Sequence, residues 1–176
     1  SNTLTARFFN VLAVWVAQAV RDISAWTGAA VEAGDLEPDT AILAEMGASV
    51  SATAFADGLN TLAEARYRVR EWWSSGFDLL LTPTLPQPAP PLGYFTSETP
   101  LAGSARAADF VSFTIPFNIS GQPAISLPLA QSSDGLPIGV QVVGAWGADQ
   151  LVLETAEALE AAMPWRERVP PIHRTR

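Results

Sequence analysis

Several short runs in this chain carry side chains whose type and spacing invite chemistry. Ser74-Ser75-Gly76 sets two hydroxyls before a glycine, the material of a nucleophile beside an oxyanion-holding loop. Two tryptophans precede it, Phe77 follows, and no flanking glycines are present, so it reads as a helix terminus. Ser132-Ser133-Asp134-Gly135 has turn composition and reads as a connection between strands. Glu71 and Asp78 are close enough in sequence to be considered an acid/base pair. The simpler reading is a solvated helix carboxylate and a turn residue at a strand start. Arg66, Arg68 and Arg70 read as a solvated helix face rather than an anion site. His173, near the C-terminus, reads as a tail residue.

Composition narrows the chemistry further. The 176 residues are 48% apolar and 16% charged, which predicts a sizeable buried core and one ordinary domain. A formal charge of −8 argues against a nucleic-acid binder, which normally presents a basic face. Cysteine is absent, excluding disulfides, thiolate metal sites and a cysteine nucleophile. All ten cationic side chains are arginine and there is one histidine. Lysine-based catalysis and histidine-cluster metal sites therefore cannot be assembled from these residues. No catalytic residue, cofactor site or metal site is assigned within the chain.

The elements that must position any site follow from periodicity. Leu4 to Trp26 reads as a helix, with Phe8, Leu12, Trp15, Ala19, Ile23 and Trp26 as its stripe and Gly28 as its stop. Its apolar run, Phe8 to Val20, is too short for a membrane span, which needs about twenty residues. It lacks signal-peptide flanks as well. Gly34 to Pro38 is a turn leading into a short helix ending at Met46, broken by Gly47-Ala48-Ser49. Ser51 caps a long helix to about Trp73, with Phe55, Leu59, Leu62, Val69 and Trp73 as its stripe. Of Trp72 and Trp73, one should be core and the other surface, since adjacent helix positions diverge by about 100°.

Asp78 to Thr82 reads as a strand buried on both faces. Six prolines in eighteen residues then make Pro83 to Gly103 an extended loop, the kind that commonly walls a pocket. A helical turn is expected within Ala107 to Ile115, and a turn-rich bend from Pro116 to Pro123. Ala124 to Leu129 and Ile138 to Val143 read as strands, with Gly139 and Gly144 marking close approaches. Asp149 caps a last helix with Leu151, Val152, Ala156 and Leu159 inward, closed by Pro164. The expectation is an α/β fold: part of a mixed central sheet flanked by helices, helical to about residue 76 and strand-containing from about 77 to 176.

Asp78-Leu79-Leu80-Leu81-Thr82-Pro83-Thr84, then Phe117 to Pro128, then Gly135-Leu136-Pro137-Ile138-Gly139-Val140-Gln141 occur in that order. This series closely resembles the C-terminal part of the amidase signature family. Asp35-Leu36-Glu37-Pro38, Met163-Pro164-Trp165 and Pro170-Pro171 are similar to the simple bacterial amidases, including the nylon-oligomer hydrolase group. The resemblance runs across residues 1–176 as a single C-terminal portion of an amidase domain. It implies hydrolysis of carboxylic amides to acid and amine by a Ser–cis-Ser–Lys triad, without cofactor. It also implies that the triad belongs to the preceding part of the family sequence, because lysine and a Gly-Gly-Ser-Ser-Gly-Gly loop are missing here.

On that resemblance this chain alone is expected to be inactive and to pack with the N-terminal part of the same amidase. Thr82, Pro83, Thr84, Asn118 and Gly121 are its candidate pocket-lining residues. The implied partner is a small-molecule amide, in the cytoplasm, with no nucleic acid and no membrane; a homodimer is compatible. Two rivals stand beside it: the glutaminase-type subunit of a transfer-RNA amidotransferase, and a non-catalytic interaction or scaffold module.

Overall fold

A computed structural model describes residues 2–169. The readings made for His173 and for Pro170-Pro171 lie outside the described residues. In chain order the elements are helices α1 (Asn2–Thr27), α2 (Pro38–Ser49) and α3 (Ala52–Trp73) and strand β1 (Leu79–Pro83). Then come α4 (Ala102–Phe110), α5 (Ile115–Ser120), β2 (Ala124–Gln131), β3 (Pro137–Gly144) and α6 (Asp149–Ala162). Among the described residues no helix is long and apolar enough to cross a membrane. The fold is α/β, with a sheet flanked by helices. The chain divides into two compact units, Ser1–Tyr67 with Leu92–Asp109, and Arg68–Pro91 with Phe110–Arg176.

The first unit is helical and held by close approaches. α2 does not break at Gly47; the helix continues to Ser49, and Gly47 lies against α1. A Cβ at Gly47 would collide with the Ala13 carbonyl, so the glycine serves proximity rather than termination. Gly58 of α3 plays a similar part, since its Cβ would come within 2.5 Å of Val11 Cγ2. Arg7 and Asp57 close the same contact at 3.2 Å. The buried residues of α1 are consequently Val11, Ala13 and Ala17, not the expected tryptophans; Trp15, Ile23 and Trp26 are exposed. Ser51 caps α3 as expected, accepting a hydrogen bond from the Ala54 amide at 3.1 Å.

Asp39, in the first turn of α2, organises the start of α4 from a distance in sequence. Its carboxylate accepts the Leu101 amide at 2.9 Å, the Ser104 amide at 3.2 Å and the Ser104 hydroxyl at 2.6 Å. A negative group here satisfies amides that the helix cannot satisfy itself. The same contacts hold Leu101 at φ 60°, the left-handed region that non-glycine residues seldom adopt. The Ser104 hydroxyl, then the Leu101 amide, lower the Asp39 pKa below its ordinary value.

In the second unit β1, β3 and β2 form an antiparallel sheet in that order. α6 packs on one face, where Val142, Leu127 and Ala156 form the core with Leu79, Ile125, Leu129, Leu159 and Trp165 around them. Gly144 admits the helix, because a Cβ there would lie 2.7 Å from Val152 Cγ2. β1 is not buried on both faces, since Leu81 is 59% exposed, and among the described residues it is paired on one side only. Pro128 is tolerated in β2 where the register slips between Leu127 and Ala130, on the other edge. The Pro116 segment is a helix, not a bend. Proline occupies its first turn, where no amide donor is needed, and Gly121 ends it at φ 74°. Asp149 is the first residue of α6 and makes no side-chain cap bond; its charge still suits the helix N-terminus. Leu151 is exposed instead of inward.

Replacing Gly47 by Val should lower unfolding stability by about 1–3 kcal/mol or more, because the backbones of α1 and α2 must separate. Urea denaturation checks this, and an unchanged midpoint would contradict the contact. Asp39 gives a pH signature. Its folded pKa is depressed, so its stabilisation is present above the ordinary aspartate pKa and is lost as pH falls through the folded value. The melting-temperature gap between the parent and Asp39→Asn should therefore be widest near neutrality and close on acidification; a gap independent of pH would count against it.

Candidate functional site

The polar residues of the sheet gather on the face opposite α6. Side chains alternate along a strand, so Gly139, Gln141 and Val143 of β3 face away from the Val142 and Gly144 surface. Thr82 pairs with Gln141, and Ser126 pairs with Gln141 from the other side. These positions form one row across the sheet. Just past β1, the Thr84 amide donates to the Gly139 carbonyl at 2.9 Å and prolongs the ladder. The Thr84 and Ser126 hydroxyls meet over Gly139 at 2.6 Å. A Cβ at Gly139 would stand 2.8 Å from both oxygens, so the glycine is what lets the two outer strands touch across the central one. Thr84, Gln87, Pro88, Ser126, Ile138 and Gly139 line a cleft of about 310 Å³ at this point.

Gln141 is buried, and its Nε2 donates to Thr82 Oγ1 at 3.0 Å and to the Phe113 carbonyl at 3.1 Å. Thr82 Oγ1 donates in turn to the Pro83 carbonyl at 2.9 Å. One amide therefore ties β3, β1 and the turn before α5 together. Buried amides are retained when their bonds are satisfied, and this one spends both hydrogens on fixed acceptors.

A second cleft, of about 570 Å³, lies at the end of α5 and is lined by Asn118, Gly121, Gln122, Trp146 and Asp149, among others. Arg70 stacks over the Trp146 ring at 4.6 Å from its centroid, which takes that arginine out of a purely solvated role. Ser120 donates to Gln122 Oε1, leaving Gln122 Nε2 buried without a partner among the described residues. Trp73 is half-buried, its Nε1 likewise without a partner, while exposed Trp72 stacks on Phe77 at 4.6 Å.

The five candidate pocket residues thus fall in two places. Thr82, Pro83 and Thr84 follow one another along and beyond β1, with Thr84 in the first cleft; Asn118 and Gly121 line the second. Ser126, Gln141 and Trp146 were not among the candidates. Gln141 carried a usable signal, an amide in an otherwise apolar strand, whereas Ser126 is recognisable only through strand register. The hydroxyls and amides here can bind and orient a polar group. The chain has no lysine to act as a base beside them, and no cluster of three metal-binding side chains occurs among the described residues.

Residues 2–153 match the amidase family. The chain belongs to that family. It is 43% identical over 130 residues to a 6-aminohexanoate-cyclic-dimer hydrolase of Paenarthrobacter ureafaciens, covering 70% of this chain and 26% of that protein. The structure of 6-aminohexanoate cyclic dimer hydrolase complexed with substrate superposes with a TM-score of 0.91 and 35% identity, over 98% of this chain and 37% of that one. A glutamyl-tRNA(Gln) amidotransferase subunit of Thermotoga maritima gives a TM-score of 0.53 and 34% identity, over 70% of this chain and 25% of that one. The chain therefore spans about a quarter of the length of that hydrolase.

Gln141→Leu removes both donors and leaves the Thr82 hydroxyl and Phe113 carbonyl short of a partner. The amidase chain should lose about 1–3 kcal/mol of stability, the usual cost of stranded buried polar groups. Chemical denaturation measures it, and a neutral result would remove Gln141 from its pinning role.

Proposed function

We propose that this chain is the C-terminal part of an amidase that hydrolyses a carboxylic amide to an acid and an amine. On this reading it supplies sheet strands and pocket wall, while the two serines and the lysine come from the preceding part of the same polypeptide. The nucleophilic serine attacks the amide carbonyl, and its proton passes through the bridging serine to the lysine. The amine leaves with a proton, and water then releases the acid from the acyl-enzyme. The observation that carries the proposal is the likeness, over nearly the whole chain, to a cyclic-amide hydrolase solved with its substrate. The absence of any lysine supports placing the base elsewhere.

The substrate class is a small carboxylic amide, with the cyclic dimer of 6-aminohexanoate the first compound to try. The weaker, shorter likeness to the transfer-RNA amidotransferase favours the simple-amidase reading over that rival. The −8 charge also weighs against a polyanionic partner. A cytoplasmic place of action belongs to the same proposal.

The test compares the 176-residue chain with the polypeptide obtained by extending its source reading frame upstream of Ser1. Both are assayed on linear amides and the cyclic dimer by appearance of free amine. The expected result is no turnover by the chain alone and turnover by the extended polypeptide. Hydrolysis by the chain alone, or by neither, would contradict the proposal.

A further inference from the structure

The proline-rich stretch that leaves β1 begins at the first cleft, where Thr84, Gln87, Pro88 and Ala89 form part of the wall. Only Pro90 and Pro91 separate Ala89 from a turn that opens at Leu92. Within it the Thr96 amide donates to the Gly93 carbonyl at 3.0 Å. Residues 91–100 are all exposed and contain no helix or strand, so burial does not hold them in place. Polar contacts from α4 do. Arg106 donates from Nε to the Tyr94 carbonyl at 2.9 Å and from Nη2 to the Thr96 carbonyl at 3.0 Å. Its guanidinium also lies over the Tyr94 ring, 5.9 Å from the centroid. Gly103, three residues earlier and so on the same helix face, is buried, and a Cβ there would collide with the Phe95 carbonyl.

We propose that Arg106 is a positioning residue: its fork clamps the Leu92–Thr96 turn onto α4 and so sets the proline-rich wall of the Thr84–Ser126 cleft before substrate arrives. The proposal rests on the amidase reading above, in which this chain supplies pocket wall. Two features make the clamp felt at the cleft. The connection is short and stiff, because proline locks φ and consecutive prolines favour an extended path. The clamp also needs arginine, because one planar group spans two carbonyls that stand two residues apart, and an ammonium offers no such fixed fork. A wall set in advance spares the substrate the cost of ordering it. Arg106 therefore acts on binding, through the loop, rather than on the chemical step.

The test compares the upstream-extended polypeptide with its Arg106→Gln and Arg106→Lys variants, since glutamine and lysine keep a helix propensity close to that of arginine. Brief chymotrypsin digestion, mapped by mass spectrometry, reads opening of the turn at Tyr94 and Phe95. The expected result is cleavage there on the order of tenfold faster in Arg106→Gln, intermediate in Arg106→Lys, at an unchanged melting temperature. On an amide that the parent hydrolyses, KM should rise about three- to tenfold in Arg106→Gln and less in Arg106→Lys, with kcat within about twofold of the parent. Unchanged cleavage in an active enzyme would overturn the clamp. Faster cleavage with an unchanged KM, or a fall in kcat in place of the rise in KM, would overturn the positioning role. So would loss of both together with a lower melting temperature, which would make Arg106 structural only. A parent that hydrolyses no amide sinks the amidase reading and the positioning role with it; the digestion needs no turnover and tells that failure from a failure of the clamp.

Discussion

The second unit depends on the central position of β3. Both neighbouring strands pair with it, and Val142 and Val143, on opposite faces, have no exposed surface. Because side chains alternate, a slip of one residue would exchange these two faces. Gly144 would then no longer receive α6, and Gly139 would no longer lie beneath the Thr84 and Ser126 hydroxyls. Register, core and polar row are therefore one constraint. A strand carrying apolar packing on one face and an amide anchor on the other leaves its outer strands free to hold loops, and the proline-rich loop leaves from the end of β1.

The first unit solves a different problem with the same residue type. Gly47 and Gly58 let helices approach α1 at two places, Gly47 at the Ala13 carbonyl and Gly58 at Val11, and the buried residues of α1 are Val11, Ala13 and Ala17. Larger residues on the helix are left outside this contact. Asp39 then extends order to α4 through three hydrogen bonds made over more than sixty residues of sequence.

Much of this architecture is legible from local chemistry. The helix over Leu4 to Trp26, the Ser51 cap, the strands at 124 and 138, and the close approaches at Gly139 and Gly144 follow from spacing and glycine placement. What fails locally is what depends on a distant partner. Gly47 has the composition of a helix break, and only the Ala13 carbonyl across from it shows that the glycine is there for close approach within a continuing helix. Asp78 to Thr82 is apolar enough for a doubly buried strand, yet among the described residues nothing covers the face that carries Leu81, which is 59% exposed. Pro116 belongs to a helix first turn as readily as to a bend. Of the candidate site, the Thr82-Pro83-Thr84 step and the Asn118 to Gly121 turn were visible as motifs. Ser126 and Trp146 were not, because register and a cation stacked from α3 bring them into play.

The arrangement is compatible with the proposed reading, in which this chain supplies sheet strands and pocket wall and the base lies in the preceding part of the polypeptide. Hydroxyls and amides are fixed by strand register, while the lysine base of the proposed mechanism is a residue type absent from the chain. Covalent labelling of the upstream-extended polypeptide by a serine-directed fluorophosphonate, followed by peptide mapping, tests that division most directly. The account predicts a single modified serine upstream of Ser1 and no adduct anywhere in residues 1–176. An adduct at Ser74, Ser75, Ser126 or any other serine of this chain, accompanied by loss of turnover, would contradict it.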